Sequence, residues 1–458
     1  MTEPDRRDLF VLSAITAVWV GCALLVGVSG EFPANDDWIY ARSAKVFASS
    51  GTLQFFGPPE KNLASHVAWG AAFVVLLGDT YRSLRISTLV AGGAALLGTY
   101  ALLRVAGASV RLSSLAAACL AACPLFLMSS YTFMTDIPYT AAQVLASALI
   151  ARDLAEPDVR YRFAGWTVGL VALMSRQNAF AIPVAFACAK LVTTGGRPAA
   201  RALFALMPLG LFVAVQMGYS AWLAAHGTPQ WTVWQILGLA WLQHDPTTLL
   251  VRGLRTSLHV WLYLGLFVFP MTLAVRHSGR AAKVSAFAHW MGSAAGCAIL
   301  VNLGWTMPTW FNTWGEQGLG EGVPFSWNSA AGSLGVVLTL ASVSGGMDLT
   351  RCMARLPSIL SETTRSQRAL LLFSLVGMAL SILPIVIVDL NGVQVESYDR
   401  YTVPVVPWAL LMVACTAAPS GDQRRPSRFW GELAAVALLV YSVCGVHDFL
   451  EERRTAVE

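Results

Sequence analysis

The chain has 458 residues, 56% of them hydrophobic and only 12% charged, with a mean hydropathy of +0.58 and a formal net charge of +5. Soluble chains carry about 25% charged residues, so a water-soluble multidomain protein and a disordered one are both excluded. The roughly 256 apolar residues suffice instead for about a dozen membrane spans of about 20 residues each.

The first apolar run, Leu9 to Gly30, follows Arg6 and Arg7. It exceeds the apolar core of a signal peptide and lacks a small-residue cleavage site, so it reads as an uncleaved span entering from the cytoplasm. A loop over 31–82 follows, beginning with Asn35-Asp36-Asp37-Trp38-Ile39-Tyr40. The pattern from Asn35 to Ser49 predicts a short amphipathic helix lying on the membrane, with Trp38 and Tyr40 as interfacial anchors. The apolar stretch His66 to Gly78 is 13 residues long, too short to span, and reads as an interfacial or re-entrant helix.

Further spans are expected at 83–104, 112–129, 137–152, 163–175, 179–193, 202–223, 254–275, 284–305, 329–346, 369–388, 402–418 and 429–446, making thirteen. The two at 163–193 are divided at Ser175-Arg176-Gln177-Asn178. Lys/Arg bias sets orientation, and this topology puts 20 of the 31 Lys/Arg inside and 11 outside. Counting 66–78 as a span would invert the balance to 10 inside and 21 outside. The expectation is an all-α polytopic membrane protein of about 13 transmembrane helices, one domain over 1–458 without a soluble part, its N-terminus cytoplasmic and its long loops in the outer face of the cell membrane.

Seven of the eight cysteines lie in apolar runs, which gives no disulfide framework, and the seven histidines form no metal motif. The same topology places 16 of the 26 carboxylates outside, several at helix ends, where an acid at membrane depth marks a candidate site. Adjacent Asp36 and Asp37 disfavour each other's ionisation, which suits a general base; the alternative is an Asn35 N-cap with two acids offsetting the helix dipole. Thr135-Asp136-Ile137-Pro138 reads as a helix start with Thr135 as cap. Arg176 interrupts an apolar run, as a ligand or as a snorkelling side chain. Arg400, between Tyr398 and Tyr401 and ahead of Pro404 and Pro407, suits a lipid phosphate, or pairs internally with Asp399 or Glu396. Trp231, Trp234, Trp241, Trp305, Trp310, Trp314 and Trp327 sit in or beside two outer loops as an interfacial belt or as stacking surfaces, and Glu316 and Glu321 share one of those loops.

Together these features resemble the GT-C type membrane glycosyltransferases, the family 39-like group that includes protein O-mannosyltransferases and lipid A aminoarabinose transferases. The likeness runs over most of the chain in topology, and its most specific motif is the first-loop pair of acids. It implies a polyprenyl-phosphate-linked sugar donor, transfer on the outer face to a lipid, glycan or protein acceptor, and a first-loop Asp as base, mapping to Asp36. The family usually shows Asp-Glu where this chain has Asp36-Asp37, so either acid is a candidate. Its Pro-Pro-Leu segment is only partly matched by Pro58-Pro59-Glu60, and the soluble outer domain of some members is absent, which leaves acceptor choice to the loops. A prenyl phosphate is already a good leaving group, so the chemistry needs a base and phosphate-holding cations, not the carboxylate pair of glycoside hydrolases, and the displacement would invert the anomeric centre.

The expected catalytic residues are therefore Asp36 as base and Asp136, with Asp37, as a ligand of an acceptor or donor hydroxyl or of a metal, while Tyr40, Arg176, Gln177, Tyr398, Arg400 and Tyr401 bind substrate. No cofactor is required, although carboxylates could hold a divalent metal, and no nucleic-acid partner is expected. The rival is a transporter or flippase for a lipid or hydrophobic solute, in which unusual residues lie at broken helices near the midplane. The transferase reading needs Asp36, Asp136 and Arg400 to line one outward-facing cavity.

Overall fold

The computed structural model describes residues 6–33, 37–56, 62–193, 195, 197–227, 238, 240–276, 280–303, 305–307, 330–390, 399–416 and 426–455. Regular structure among the described residues is helical throughout. In chain order the helices used below are α1 (Arg6–Val26), α2 (Asp37–Ser50), α3 (Ala64–Leu77), α4 (Tyr81–Val105), α5 (Val110–Ala122), α6 (Pro124–Ser130), α7 (Asp136–Ala155), α8 (Val159–Ser175), α9 (Ala181–Thr193) and α10 (Pro198–Ala225). They continue with α11 (Pro246–Val275), α12 (Arg280–Asn302), α13 (Ala330–Ala354), α14 (Leu356–Glu362), α15 (Arg365–Leu390), α16 (Val406–Thr416) and α17 (Pro426–Thr455). A 3-10 turn, Gln177–Phe180, precedes α9, and a 3-10 stretch, Asp399–Val405, precedes α16.

Each of the thirteen apolar runs contains helix among its described residues. Among the described residues seven helices are long and apolar enough to cross a membrane, or eight spans if α5 and α6 count as one. The chain is thus an all-α, multi-pass membrane protein. The run 112–129, expected to be continuous, is bent by 66° between α5 and α6. Pro124 is the cause: its ring cannot continue a helix without displacing the carbonyl four residues back, and it is well placed at the start of the next one. The carbonyl of Ala122 at the break accepts the Ser442 hydroxyl of α17 at 2.8 Å, so this backbone group is not left bare.

Local contacts sort the helices onto two ends. At one end Arg104 of α4 meets Asp8 of α1 at 2.9 Å, Arg111 of α5 donates to Glu432 of α17 at 2.6 Å, and Arg162 of α8 grips Asp153 of α7 at 2.9 and 3.0 Å. The Ser366 hydroxyl of α15 donates to the Ala155 carbonyl at 3.4 Å, and Arg276 meets Asp348 at 2.6 Å. Every residue in these contacts belongs to a segment that the Lys/Arg count assigns to one side. At the opposite end Arg454 of α17 donates to the Ser29 carbonyl beyond α1 at 3.4 Å.

Helix α3 has both of its ends at this second end of the bundle. Near its start, Asn62 donates to the Leu173 carbonyl at 2.6 Å and Ser65 meets Ser175 at 2.7 Å, at the close of α8. Its finish leads through Asp79, paired with Lys45 of α2 at 2.8 Å, to Thr80, the cap of α4. A segment that enters and leaves at one end does not cross. Helices α2 and α3 share a small apolar cluster of their own, with Tyr40, Ala44, Leu63, Val67, Leu84 and Phe133 among its members.

Candidate active site

Four separated segments meet at the end of the bundle that holds α2 and α3. They are the first turn of α2, the turn joining α6 to α7, the break between α8 and α9, and the 3-10 stretch before α16. The turn at 131–135 follows a short helix that stops at Ser130, and Tyr131 anchors it by donating its hydroxyl to the Cys22 carbonyl at 3.1 Å. The α8–α9 break arises at Arg176, whose extended backbone ends one helix and lets the 3-10 turn start the next.

Asp136 is fully enclosed at the start of α7. Its Oδ1 lies 3.0 Å from Nη2 of Arg176, and its Oδ2 lies 3.7 Å from Nε of Arg400. Both arginines are buried as well. Nε of Arg176 donates to the Thr135 hydroxyl at 2.7 Å, and the Tyr401 ring lies 4.9 Å from the Arg176 guanidinium and 5.8 Å from that of Arg400. The expected capping role of Thr135 is not what the structure has: Thr135 is in helical backbone geometry, makes no side-chain cap, and uses its hydroxyl as an acceptor for Arg176. A buried guanidinium needs that acceptor more than a helix end needs one extra partner.

Asp37, also buried, accepts the Phe133 amide through Oδ2 at 3.3 Å. The Phe133 carbonyl in turn lies 3.3 Å from Nε2 of His66, whose ring stacks on the Phe133 ring at 4.2 Å. Tyr40 meets His66 edge-on at 5.8 Å. Gly70, one helical turn beyond His66, faces the same ring, and a methyl group there would overlap it. Phe133 is therefore gripped by backbone and ring together, three residues before Asp136.

Of the residues singled out in the sequence, Asp37, Tyr40, Asp136, Arg176, Arg400 and Tyr401 lie at this one end. Gln177 begins the 3-10 turn beside them and is half-buried. Asp36 and Tyr398 lie outside the described residues, as do Asn35, Pro58, Pro59, Glu60, Trp231, Trp234, Trp310, Trp314, Trp327, Glu316 and Glu321. Trp241 is exposed, and Trp305 packs against His259 at 5.4 Å. Asp136 and Arg400, expected to line one outward-facing cavity with Asp36, are both buried.

His66, Gly70 and Phe133 were missed in the sequence. A lone histidine on an apolar helix carries no signal by itself, and the i, i+4 pairing of His66 with Gly70 has meaning only once Phe133 is known to lie against it.

Arg176 and Arg400 are two buried guanidiniums placed on either side of the one carboxylate of Asp136. That arrangement suits an anion able to accept from planar guanidinium forks, such as a phosphate. Among the described residues no three His, Cys, Asp or Glu side chains converge as a metal site would require.

No family model matches the chain, and no curated protein does. Among solved structures it is similar to ArnT from Cupriavidus metallidurans bound to undecaprenyl phosphate, with 14% identity and a TM-score of 0.40 over 95% of this chain and 77% of that one. The apo state of the same ArnT gives 15% identity and a TM-score of 0.38 over 88% of this chain and 77% of that one.

Proposed function

We propose that the chain is a membrane glycosyltransferase, a single transmembrane domain that moves a sugar from a polyprenyl-phosphate donor to an acceptor at the outer face of the cell membrane, with inversion. The observation that carries this reading is the buried Arg176–Asp136–Arg400 cluster, which brings two guanidiniums to the same end of the bundle as Asp37. In the proposed mechanism Asp36 or Asp37 takes the acceptor proton, and the arginines stabilise the charge that develops on the departing prenyl phosphate. Asp136 holds the two guanidiniums at a fixed separation, and Tyr401 supplies a ring beneath both. Tyr40, Gln177 and Tyr398 are proposed to border the donor headgroup.

The transporter reading draws on the bent α5–α6 pair, an interruption of the kind that solute pathways use. Against it, the Ala122 carbonyl at the break is satisfied by Ser442, and the charged cluster sits at helix ends, where a lipid headgroup reaches.

Mass spectrometry of polyprenyl-phosphate sugars and envelope glycans in a strain lacking the gene tests the proposal. The expected result is an accumulated lipid-linked sugar and a missing modification, both reversed by the wild-type gene but not by Asp36→Asn or Asp37→Asn in whichever position holds the base. Unchanged donor pools and glycans would remove the transferase reading in favour of transport.

A further inference from the structure

The segment between α1 and the first-loop acids is held by two residues that the proposed chemistry does not use. Helix α1 ends at Val26, and Gly27 (φ +79°) and Gly30 (φ +108°) turn the chain in left-handed geometry. A side chain at Gly30 would strike the Phe32 ring, which folds back over it. The carbonyls left by this turn need donors. Arg85, one turn into α4 and almost wholly buried, supplies them: Nη1 donates to Ser29 O at 3.2 Å and Gly30 O at 2.7 Å, and Nη2 donates to Phe32 O at 2.7 Å. Its guanidinium lies 4.4 Å from the Phe32 ring.

The residue between those carbonyls works in the opposite direction. Glu31 turns its carboxylate onto the start of α4 and accepts the Tyr81 amide at 2.8 Å and the Arg82 amide at 3.5 Å. These are orphan N–H groups at the positive end of a helix, where an anion is favoured. So α4 sends a side chain to the backbone of the segment, and the segment sends a side chain to the backbone of α4.

We propose that Arg85 and Glu31 form a two-way clamp that positions Asp37 at the start of α2. Phe32 is the last clamped residue, five positions before Asp37, so the clamp fixes a point close to the start of α2. Arg85 is a positioning residue and touches no substrate: its Nη1 and Nη2 are engaged with the three carbonyls. Lysine is a poor replacement, because a point charge cannot serve three carbonyls arranged for a fork. The inference rests on the reading of Asp37 as a site residue.

Hydrogen–deuterium exchange on the purified full chain in lipid nanodiscs tests it, comparing wild type with Arg85→Lys and Glu31→Gln. Glu31 is exposed, so its variant keeps the fold even where Arg85→Lys does not. The expected result is exchange about tenfold faster or more across 27–33 and the first turn of α2, with α7 unchanged and, for Glu31→Gln, the thermal midpoint unchanged as well. In the deletion strain the same variants should lower glycan product about tenfold or more, as expected when a base is misplaced. Unaltered exchange over 27–33 overturns the clamp whatever the activity. Faster exchange with undiminished product overturns its positioning role. Full activity in both Asp36→Asn and Asp37→Asn sinks the transferase reading instead, and the exchange data still decide the clamp.

Discussion

The amide of Phe133 donates to Oδ2 of Asp37 at 3.3 Å, so a carboxylate at the start of α2 is tied to the turn that delivers Asp136 on α7. This one bond separates two roles that Asp37 could have. In Asp37→Asn the remaining carbonyl oxygen still accepts from Phe133, so folding is expected to survive. If Asp37 is the base, transfer then falls about 10²–10⁴-fold, the usual worth of a positioned base. If Asp36 is the base, Asp37→Asn stays near wild type while Asp36→Asn loses that factor. Asp37→Ala leaves the buried Phe133 amide without a partner and should destabilise by about 1–3 kcal/mol in either case. Thermal unfolding and product formation measured on the three proteins settle the assignment.

A second prediction concerns Gly70. Its replacement by alanine places a methyl group in the Phe133 ring, which is itself fully buried. The ring must shift, and the Asp37 bond and the His66 stack shift with it. Gly70→Ala is therefore expected to depress transfer more than it lowers the thermal midpoint, whereas Gly70→Leu should fail to fold. An alanine variant of full activity would show that Phe133 moves without carrying the site.

The helices were legible because hydropathy and Lys/Arg placement are summed over many residues, and no single contact decides them. The division at Ser175-Arg176 was legible for the same reason: four polar residues inside thirty apolar ones cannot all be accommodated in one span. The α5–α6 bend was written in Pro124, but a single proline within an apolar run also occurs inside α10, α11 and α15, where the helix continues. Thr135 misled because its position fits a cap, while its partner Arg176 is 41 residues away. Arg85 counted in the sequence only as one outer cation, and nothing local reveals that three carbonyls 53 to 56 residues earlier need it.

The Arg176–Asp136–Arg400 cluster predicts a strong asymmetry between single and double variants. Asp136→Asn takes the shared carboxylate from two buried guanidiniums and should cost about 3–5 kcal/mol, the range for breaking a buried pair. Removing one arginine alongside it relieves part of that cost. Asp136→Asn with Arg400→Gln is thus expected to be more stable than Asp136→Asn alone, although both lack activity. Additive losses in chemical or thermal unfolding would show that the three charges do not act as a unit.

The close crossing of α11 and α13 should tolerate no side chain. A methyl group at Gly265 would overlap the Ser342 carbonyl, and one at Gly345 would overlap the Gly265 carbonyl. Trp261 fixes the register by donating to the Thr350 hydroxyl at 3.0 Å. Small residues let membrane helices approach this closely, so Gly265→Leu is expected to abolish recovery of folded protein, while Trp261→Phe keeps the ring and lowers the thermal midpoint slightly. Folded yield by size-exclusion chromatography in detergent reads both.

The path of α3 makes a prediction about sidedness that is independent of catalysis. Its start is held to the end of α8 through Asn62 and Ser65, and Asp79 beyond its finish is exposed and paired with Lys45. Cysteines introduced at Ala64 and at Asp79 should therefore react with a membrane-impermeant maleimide from the same side, which the Lys/Arg distribution makes the outer one. Four of the eight native thiols are buried, and a background variant lacking exposed Cys444 and half-buried Cys188, Cys352 and Cys415 keeps the signal clean. A cysteine replacing Arg160, at the basic end beside Asp158, should react only after the membrane is opened. Labelling of the Ala64 and Asp79 positions from opposite sides would turn α3 into a span, invert every later helix, and move Asp136 and both arginines to the cytoplasmic face.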